Sequence, residues 1–388
     1  MRLWLVWGSL GACVLLSGCA TTERMADWPR TGDPLIDGQT AIAHAPARDK
    51  PLWEDRTAAV AMRRGQYDLA KSLLDDVLLT IGGISAKDPN ARKARSLFHG
   101  EARKTFHGEP YERVMAYYYR GILYWMDGQP DNARACFRSG EIEDSDTENR
   151  RYAGDYALLD YLDGFATAKL GGDGSDAFNR AQREARLTRF PPYDPRANVL
   201  VFAEYGNGPT KFATGEYMEQ LRFQPGVSPD HAALLRVDHQ VARLDPYDDL
   251  NFQAVTRGGR VMDYILGRKA VFKSTTDTAG TVALIGGAGL ALTGNREAEE
   301  AGLGLIAAGL ISKGLSALTT PAADVRAWNN LPEYLSFAAV RLPAGQYTAT
   351  VEFLASSAST TASFSKTITI TVTDPARDTV VFVSDKNQ

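Results

Sequence analysis

The chain has 388 residues, with 43 lysines and arginines against 47 aspartates and glutamates, which gives a formal net charge of −4. A content of 44% hydrophobic and 23% charged residues is typical of a folded globular protein and excludes wholesale disorder. The mild acidity, without a run of Lys or Arg, argues against nucleic acid as a ligand. Beyond the N-terminus there is no stretch of about 18 uncharged apolar residues, which excludes a polytopic membrane protein.

The first eighteen residues form a predicted signal peptide. Met1-Arg2 is a short positive region, and the uncharged apolar stretch Leu3–Leu16 that follows is too short to span a bilayer. The sequence Leu16-Ser17-Gly18-Cys19 then resembles the lipobox of bacterial lipoproteins. This resemblance implies cleavage before Cys19, lipidation of its thiol by diacylglycerol, and palmitate in the mature protein. An ordinary signal peptide that contains a cysteine is the alternative.

Residue 20 and the segment after it predict where the protein lies. Ala20 stands where enterobacterial lipoproteins held in the inner membrane tend to carry Asp. The lipoprotein resemblance therefore implies an anchor in the Gram-negative outer membrane, facing the periplasm. Residues 19–50 are interrupted by proline and glycine and lack periodicity, which predicts a flexible tether.

The pattern over residues 51–190 is helical and repetitive. The segment Arg120–Gly140 resembles a tetratricopeptide repeat, with Gly121 at a close helix contact, Gly128 in the turn, and Ala133 and Phe137 in the second helix. Two weaker copies place the turn glycine 63 residues earlier and 44 residues later, whereas the usual period is about 34. The sequence predicts a helical repeat domain with inserted segments.

The remaining sequence is divided into three parts. Residues 191–275 predict a mixed α/β segment, 276–320 a Gly/Ala-rich apolar helical hairpin, and 321–388 a β-rich C-terminal module. A strand over 198–205 is expected to join the C-terminal strands, because three strands are few for a stable sheet. The predicted fold class is mainly α in the N-terminal half, with a C-terminal α+β region that ends in a small antiparallel β-sheet.

The Gly/Ala-rich hairpin allows several interpretations. Its two apolar arms lie within residues 279–318, and each is too short to cross a bilayer. Small residues at such spacing let two helices pack closely, as in membrane glycine motifs. A buried hairpin, a hairpin that touches membrane or forms homo-oligomers, and a mobile segment remain open.

Three further segments together resemble one family. They are Gly108–Met115, Val199–Pro209 and Ala323–Pro332, the last followed by a turn over Leu342–Gly345. With the lipobox, they are similar to an uncharacterised family of Gram-negative envelope lipoproteins with tetratricopeptide-like repeats. Such lipoproteins are often encoded near proteins similar to activators of penicillin-binding proteins. The resemblance implies a place in an envelope assembly but no activity.

The sequence predicts no catalytic residue, metal site or cofactor. The five histidines show no metal-ligand spacing, and no nucleophile elbow occurs. The acidic groups Asp75-Asp76, Glu141/Glu143/Asp144 and Asp248-Asp249 are interpreted as solvated faces, because a glycosidase needs two carboxylates that face each other across a cleft and adjacency in sequence does not show this. The chain is therefore predicted not to be an enzyme.

One helical stripe is the best candidate for binding a partner. Met115, Tyr118, Ile122 and Trp125 follow one another at spacings of three, four and three, which places them on one helix face. In a tetratricopeptide-like domain that face lines a concave groove, and Met, Tyr and Trp suit a binding surface. The alternative is that the same stripe is covered by other parts of the chain.

These observations predict a lipid-anchored scaffold that binds an unidentified envelope protein through its repeat groove. The alternative from another class is a membrane-active or self-associating component that uses 279–318. A cell-wall-acting enzyme is a third hypothesis, which the lack of recognisable site residues disfavours.

Overall fold

The computed structural model describes residues 30–81, 105–146, 150–216, 218–256, 323–359 and 361–386. The predicted signal peptide 1–18, the lipidation site Cys19 and the Gly/Ala-rich hairpin 276–320 lie outside the described residues.

All the regular secondary structure described before residue 190 is helical. Its α-helices are α1 (Pro34–His44), α2 (Lys50–Arg63), α3 (Tyr67–Ile81), α4 (Pro110–Met126), α5 (Pro130–Asp144), α6 (Ala157–Lys169) and α7 (Ser175–Glu184), with a 3₁₀ turn at Arg150–Tyr152. A further short helix, α8 (Leu250–Thr256), follows among the strands.

Helix α1 contradicts the prediction of a flexible tether over residues 19–50. The helix begins where the Asp33 side chain accepts hydrogen bonds from the first backbone N–H groups, with Pro34 at the first helical position. Leu35 and Ala41 are buried, and Gly38 lies so close to Thr57 of α2 that a Cβ would clash. The prediction is wrong for this part because three small or apolar residues dock α1 on α2.

Three helix–turn–helix pairs, α2/α3, α4/α5 and α6/α7, make up the rest of the helical layer. In the central pair, Gly128 takes a φ of 71° in the turn, a backbone conformation that favours glycine. A Cβ on Gly121 would lie 2.5 Å from the Phe137 ring, and one on Gly164 would lie 2.9 Å from the Phe178 ring. Glycine therefore lets an aromatic side chain of the second helix press against the first.

Ten strands in the described residues form three sheets. They are β1 (Val199–Tyr205), β2 (Thr210–Thr214), β3 (Gln220–Gln224), β4 (Ala232–Val237), β5 (Gln240–Leu244), β6 (Asp248–Asp249), β7 (Tyr334–Val340), β8 (Gly345–Leu354), β9 (Ala362–Val372) and β10 (Thr379–Ser384). Sheet A has the order β10-β1-β7-β6, sheet B pairs β2 with β3, and sheet C has the order β5-β4-β8-β9.

This architecture contradicts the predicted fold class. The protein is a mixed α+β structure rather than a mainly α one, because the C-terminal half holds three sheets instead of one small antiparallel sheet. Strand β1 does join the C-terminal strands, as expected, and pairs with β10 in parallel and with β7 antiparallel. The strands β8 and β9, however, belong to the separate sheet C.

Sheet A lies between the helices and sheet C, so its two faces belong to two hydrophobic cores. Leu200 and Phe202 of β1 pack into the core of the helical layer. Val199, Val201 and Ala203 of the same strand pack into the core shared with sheet C. All seven residues of β1 are buried, as expected for a strand covered on both faces.

A buried polar network joins sheet A to the helices. Glu204 of β1 accepts a hydrogen bond from Arg63 Nε of α2 at 2.6 Å and another from the Tyr119 hydroxyl of α4 at 2.5 Å. Arg63 also donates to the backbone oxygen of Asn330 at 2.7 Å. Because both side chains of the ion pair are fully buried, each charge depends on these partners to offset its lost hydration.

A second buried ion pair lies at the start of α4. Glu112 accepts hydrogen bonds from Lys211 Nζ at 2.5 Å, from the Trp328 backbone N–H at 2.7 Å and from the Glu109 backbone N–H at 2.6 Å. Glu112 and Glu109 form the capping box of α4, so one carboxylate both caps a helix and binds two other segments.

The double-sided packing of β1 gives a stability prediction. Phe202 is fully buried and contacts Tyr118, Trp125 and Phe337, so Phe202→Ala should lower the free energy of unfolding by about 3–5 kcal/mol. Urea unfolding followed by circular dichroism measures this change. Phe212→Ala is the control, since Phe212 is 43% exposed on β2 and should cost far less. Equal losses for the two variants would contradict the described packing.

Candidate functional site

The predicted partner-binding stripe lies in the interior of the protein. Met115, Tyr118, Ile122 and Trp125 are each at most 1% exposed. The rings of Tyr118 and Trp125 contact Phe202, with centroid distances of 6.3 and 6.4 Å. The structure therefore shows the alternative in which the stripe is covered by the chain itself.

The prediction of an open groove along the stripe is thus corrected. The physical reason is that sheet A presents its own aromatic face to the helices and fills the space that a partner segment would occupy. The indole N–H of Trp125 is also satisfied internally, since it donates to Asp378 Oδ2 at 3.0 Å. That carboxylate is held in turn by Lys169 Nζ, which donates to Asp378 Oδ1 at 2.6 Å.

Membrane spans and metal sites were sought among the described residues as well. No helix in the described ranges combines the length and the apolar character needed to cross a membrane. The same part of the chain contains no cluster of three or more His, Cys, Asp or Glu side chains arranged to hold a metal ion.

An accessible recess lies on the outer side of the helical layer, at the junction of α5, α6 and α7. We call it the acid–arginine pocket. Its volume is about 430 Å³, in the range of small-ligand sites. It is lined by Glu141, Ile142, Ser145, Ala153, Gly154, Asp160, Arg180, Arg183 and Glu184.

Three helices supply the central side chains of the pocket. Glu141 lies in the last turn of α5, Asp160 in the first turn of α6, and Arg180 in the middle of α7. Because consecutive helices pack side by side, the end of α5 meets the start of α6 and brings the two carboxyl groups together in the lining of the pocket. Arg180 Nε donates to Asp160 Oδ1 at 2.7 Å.

The pKa values of the two carboxyl groups are both raised, but the forces that act on them differ. Burial raises the pKa of Glu141 to about 8, and repulsion from Asp160 and Asp163 adds to the shift. Burial also raises the pKa of Asp160, but the hydrogen bond from Arg180 opposes that shift. Burial and the neighbouring acids thus favour the protonated form of Glu141 at neutral pH.

A third carboxylate, that of Asp163, lies close to Glu141 and Asp160. Asp163, one turn after Asp160, is 4% exposed in its side chain. It accepts a hydrogen bond from Arg134 Nε at 3.1 Å and lies 3.4 Å from Arg138 Nε and 3.6 Å from Arg180 Nη2. Arginines of α5 and α7 thus clamp α6 and fix the position of the pocket's acids.

The interpretation of the acidic groups as solvated faces is wrong in part. Glu141 lies next to Asp160, a residue that the sequence pattern does not single out. Asp144, three residues after Glu141, is buried. Asp248 is buried as well, where its carboxylate accepts hydrogen bonds from the N–H groups of Ala157 and Leu158 and caps α6. No local signal reveals these pairs, because each joins residues from different elements.

No protein-family model, curated protein or solved structure matches the chain. The chemistry of the acid–arginine pocket itself is therefore the basis for a functional proposal. A recess that is lined by carboxyl groups, a paired arginine and an exposed arginine can recognise a charged group.

The raised pKa of Glu141 makes stability depend on pH. The folded-state pKa of Glu141, about 8, lies above the ordinary value of 4.5, so between these values the folded protein holds a proton that the unfolded chain releases. The free energy of unfolding therefore falls as the pH rises through this interval. Glu141→Gln keeps a hydrogen-bond donor for Asp160 but cannot ionise, so we expect a smaller loss of stability between pH 5 and pH 8.

Urea unfolding at several pH values measures this difference. Asp176→Asn is the matched control, because Asp176 is an exposed acid on α7 whose replacement should leave the wild-type pH dependence unchanged. An unchanged pH dependence in Glu141→Gln would show that Glu141 does not hold the proton.

Proposed function

We propose that the chain is a lipoprotein of the Gram-negative outer membrane, anchored through Cys19 and facing the periplasm, that binds a partner protein of the envelope. The lipobox-like sequence ending at Cys19 supports the anchor. The first described helix begins at Pro34, fifteen positions after Cys19 in the sequence. The protein acts as a scaffold without catalysis of its own.

The partner site in this proposal is the acid–arginine pocket. The concave side of the helical layer is filled by sheet A, so a partner has to dock elsewhere on the surface. At the pocket, Ile142 is 70% exposed at the edge of a charged recess, and Arg183 is exposed on its other side. Recognition sites usually combine an apolar contact with a few polar or charged groups that fix the orientation of the bound molecule.

The anchor is tested by labelling cells with palmitate. Cys19→Ser should abolish incorporation of the label and leave the precursor uncleaved, because the thiol is the acceptor for the lipid. Cys13→Ser is the control, since Cys13 lies in the predicted signal peptide and should leave labelling intact. Palmitate found on the Cys19→Ser chain would contradict the proposed anchor.

The partner site is tested by crosslinking and affinity purification from intact envelopes. We expect Arg183→Glu to lose most of the partner captured by the wild type, because it reverses an exposed charge at the pocket. Arg222→Glu makes the same charge change at an exposed position on β3, in sheet B, and should retain the partner. Equal capture by both variants, at equal abundance, would contradict a partner site at the pocket.

A further inference from the structure

We propose that arginines at the edge of the acid–arginine pocket bind an acidic segment of the partner protein, in which carboxylates alternate with apolar side chains. The surface consists of Arg183 of the pocket together with Arg151, Tyr152, Arg186 and Phe252, and we call it the arginine surface. This inference rests on the proposed function, since it names the chemistry by which the partner is recognised at that site.

Four residues of the arginine surface are joined by a continuous series of contacts. The guanidinium of Arg186 lies over the Phe252 ring, 3.9 Å from its centroid. The rings of Phe252 and Tyr152 meet edge to face with their centroids 6.0 Å apart, and the Arg151 guanidinium lies 5.9 Å from the centroid of the Tyr152 ring. Tyr152 directly precedes Ala153 of the pocket lining, so these contacts border the pocket.

Two guanidinium groups of this surface present their N–H donors to solvent. Arg183 and Arg186 are exposed, and neither forms a hydrogen bond or an ion pair with any residue in the described part of the chain. The contact with the Phe252 ring restricts the Arg186 side chain, so less conformational entropy is lost when a ligand binds to it. The planar fork of N–H groups on a guanidinium matches the two oxygens of a carboxylate.

The surrounding charges favour a segment with separate carboxylates over a continuous anionic surface. Asp160 and Asp163 are already paired with arginines of α5 and α7. Glu141 and Glu184 also line the recess, and they would repel an anionic bilayer laid across it. A segment whose carboxylates are spaced along a chain can reach the arginines and keep its charges away from these acids.

The arginine surface also stands out from the charge of the whole chain. The formal net charge is −4, so several exposed arginines beside one recess form a local excess of positive charge on an acidic protein. Charge complementarity of this kind orients a partner and raises its rate of association.

Exposed apolar side chains lie beside the arginines. Leu187 directly follows Arg186 and is 48% exposed. Val255 is 49% exposed and lies one turn after Phe252 on α8. Such side chains contribute affinity when a partner covers them, while charged neighbours fix the orientation. The acidic segment is therefore expected to carry apolar residues between its carboxylates.

The inference is tested on the full-length protein with a fluorescein-labelled peptide that repeats the sequence Glu-Leu-Glu-Glu-Leu-Glu. Fluorescence anisotropy should show saturable binding that weakens as the salt concentration is raised from about 0.05 M to about 0.5 M, because salt screens exposed charges. The same peptide with Gln in place of each Glu should bind at least about tenfold more weakly, since it keeps the length but loses the charge.

Two variants locate the binding surface. Arg183→Gln and Arg186→Gln should each lower the affinity for the Glu peptide about five- to tenfold, because each removes a charge-assisted hydrogen bond. Arg222→Gln removes an exposed arginine on β3, in sheet B, and should match the wild type. Circular dichroism confirms that the variants are folded, as expected for changes at exposed positions.

Several results would overturn the inference. They are no binding of the Glu peptide by the wild type, equal binding of the Gln peptide, and an unchanged affinity in both Arg183→Gln and Arg186→Gln. Soluble glycerol phosphate is the probe for a phospholipid headgroup. If it binds through the same two arginines while the Glu peptide does not bind, the arginine surface recognises lipid phosphate and the inference fails.

Capture from envelopes separates this inference from the proposed function. If the Glu peptide does not bind but Arg183→Glu still loses the envelope partner, the acidic-segment inference fails and the proposed function stands. If the Glu peptide binds through both arginines but Arg183→Glu captures every envelope protein that the wild type does, the arginine surface binds acidic segments and the proposed partner site fails.

Discussion

The packing of one strand between two hydrophobic cores is the constraint on which the rest of the structure depends. Strand β1 sends Phe202 into the helical layer and Val201 into the core shared with sheet C, so neither layer can be moved without the other. The ion pair between Glu204 and Arg63 fixes the same strand to α2. Since a buried charge without its partner is costly, the register of β1 against the helices is specified by polar as well as apolar contacts.

The three segments Gly108–Met115, Val199–Pro209 and Ala323–Pro332, which the sequence analysis singles out, meet at these contacts. Glu112, from the first segment, binds the backbone N–H of Trp328 in the third. Glu204, from the second, binds Arg63, which also holds the backbone of Asn330 in the third. A network in which each carboxylate has two or three fixed donors tolerates few replacements, which gives these sequence patterns a structural explanation independent of any activity.

The helical hairpins could be predicted from the sequence, whereas the sheets and the pocket largely could not. Gly121, Gly128 and Phe137 carry a local signal, because a close helix contact and a turn require particular residues. Strand β7 has no alternation to detect, since it is covered on both faces like β1. The contact between Glu141 and Asp160 depends on how α5 packs against α6, and no spacing of residues within one helix encodes that.

The closed concave face has a consequence for recognition. In an open helical repeat the aromatic stripe of α4 would be the binding surface, but here Tyr118 and Trp125 stabilise the fold by packing on Phe202. The recognition that we propose takes place instead around the ends of α5 and α7, where Ile142 and Arg183 are exposed. The same burial that raises the pKa of Glu141 makes the free energy of unfolding fall as the pH rises, so this end of the helical layer contributes a pH dependence to the stability of the whole fold.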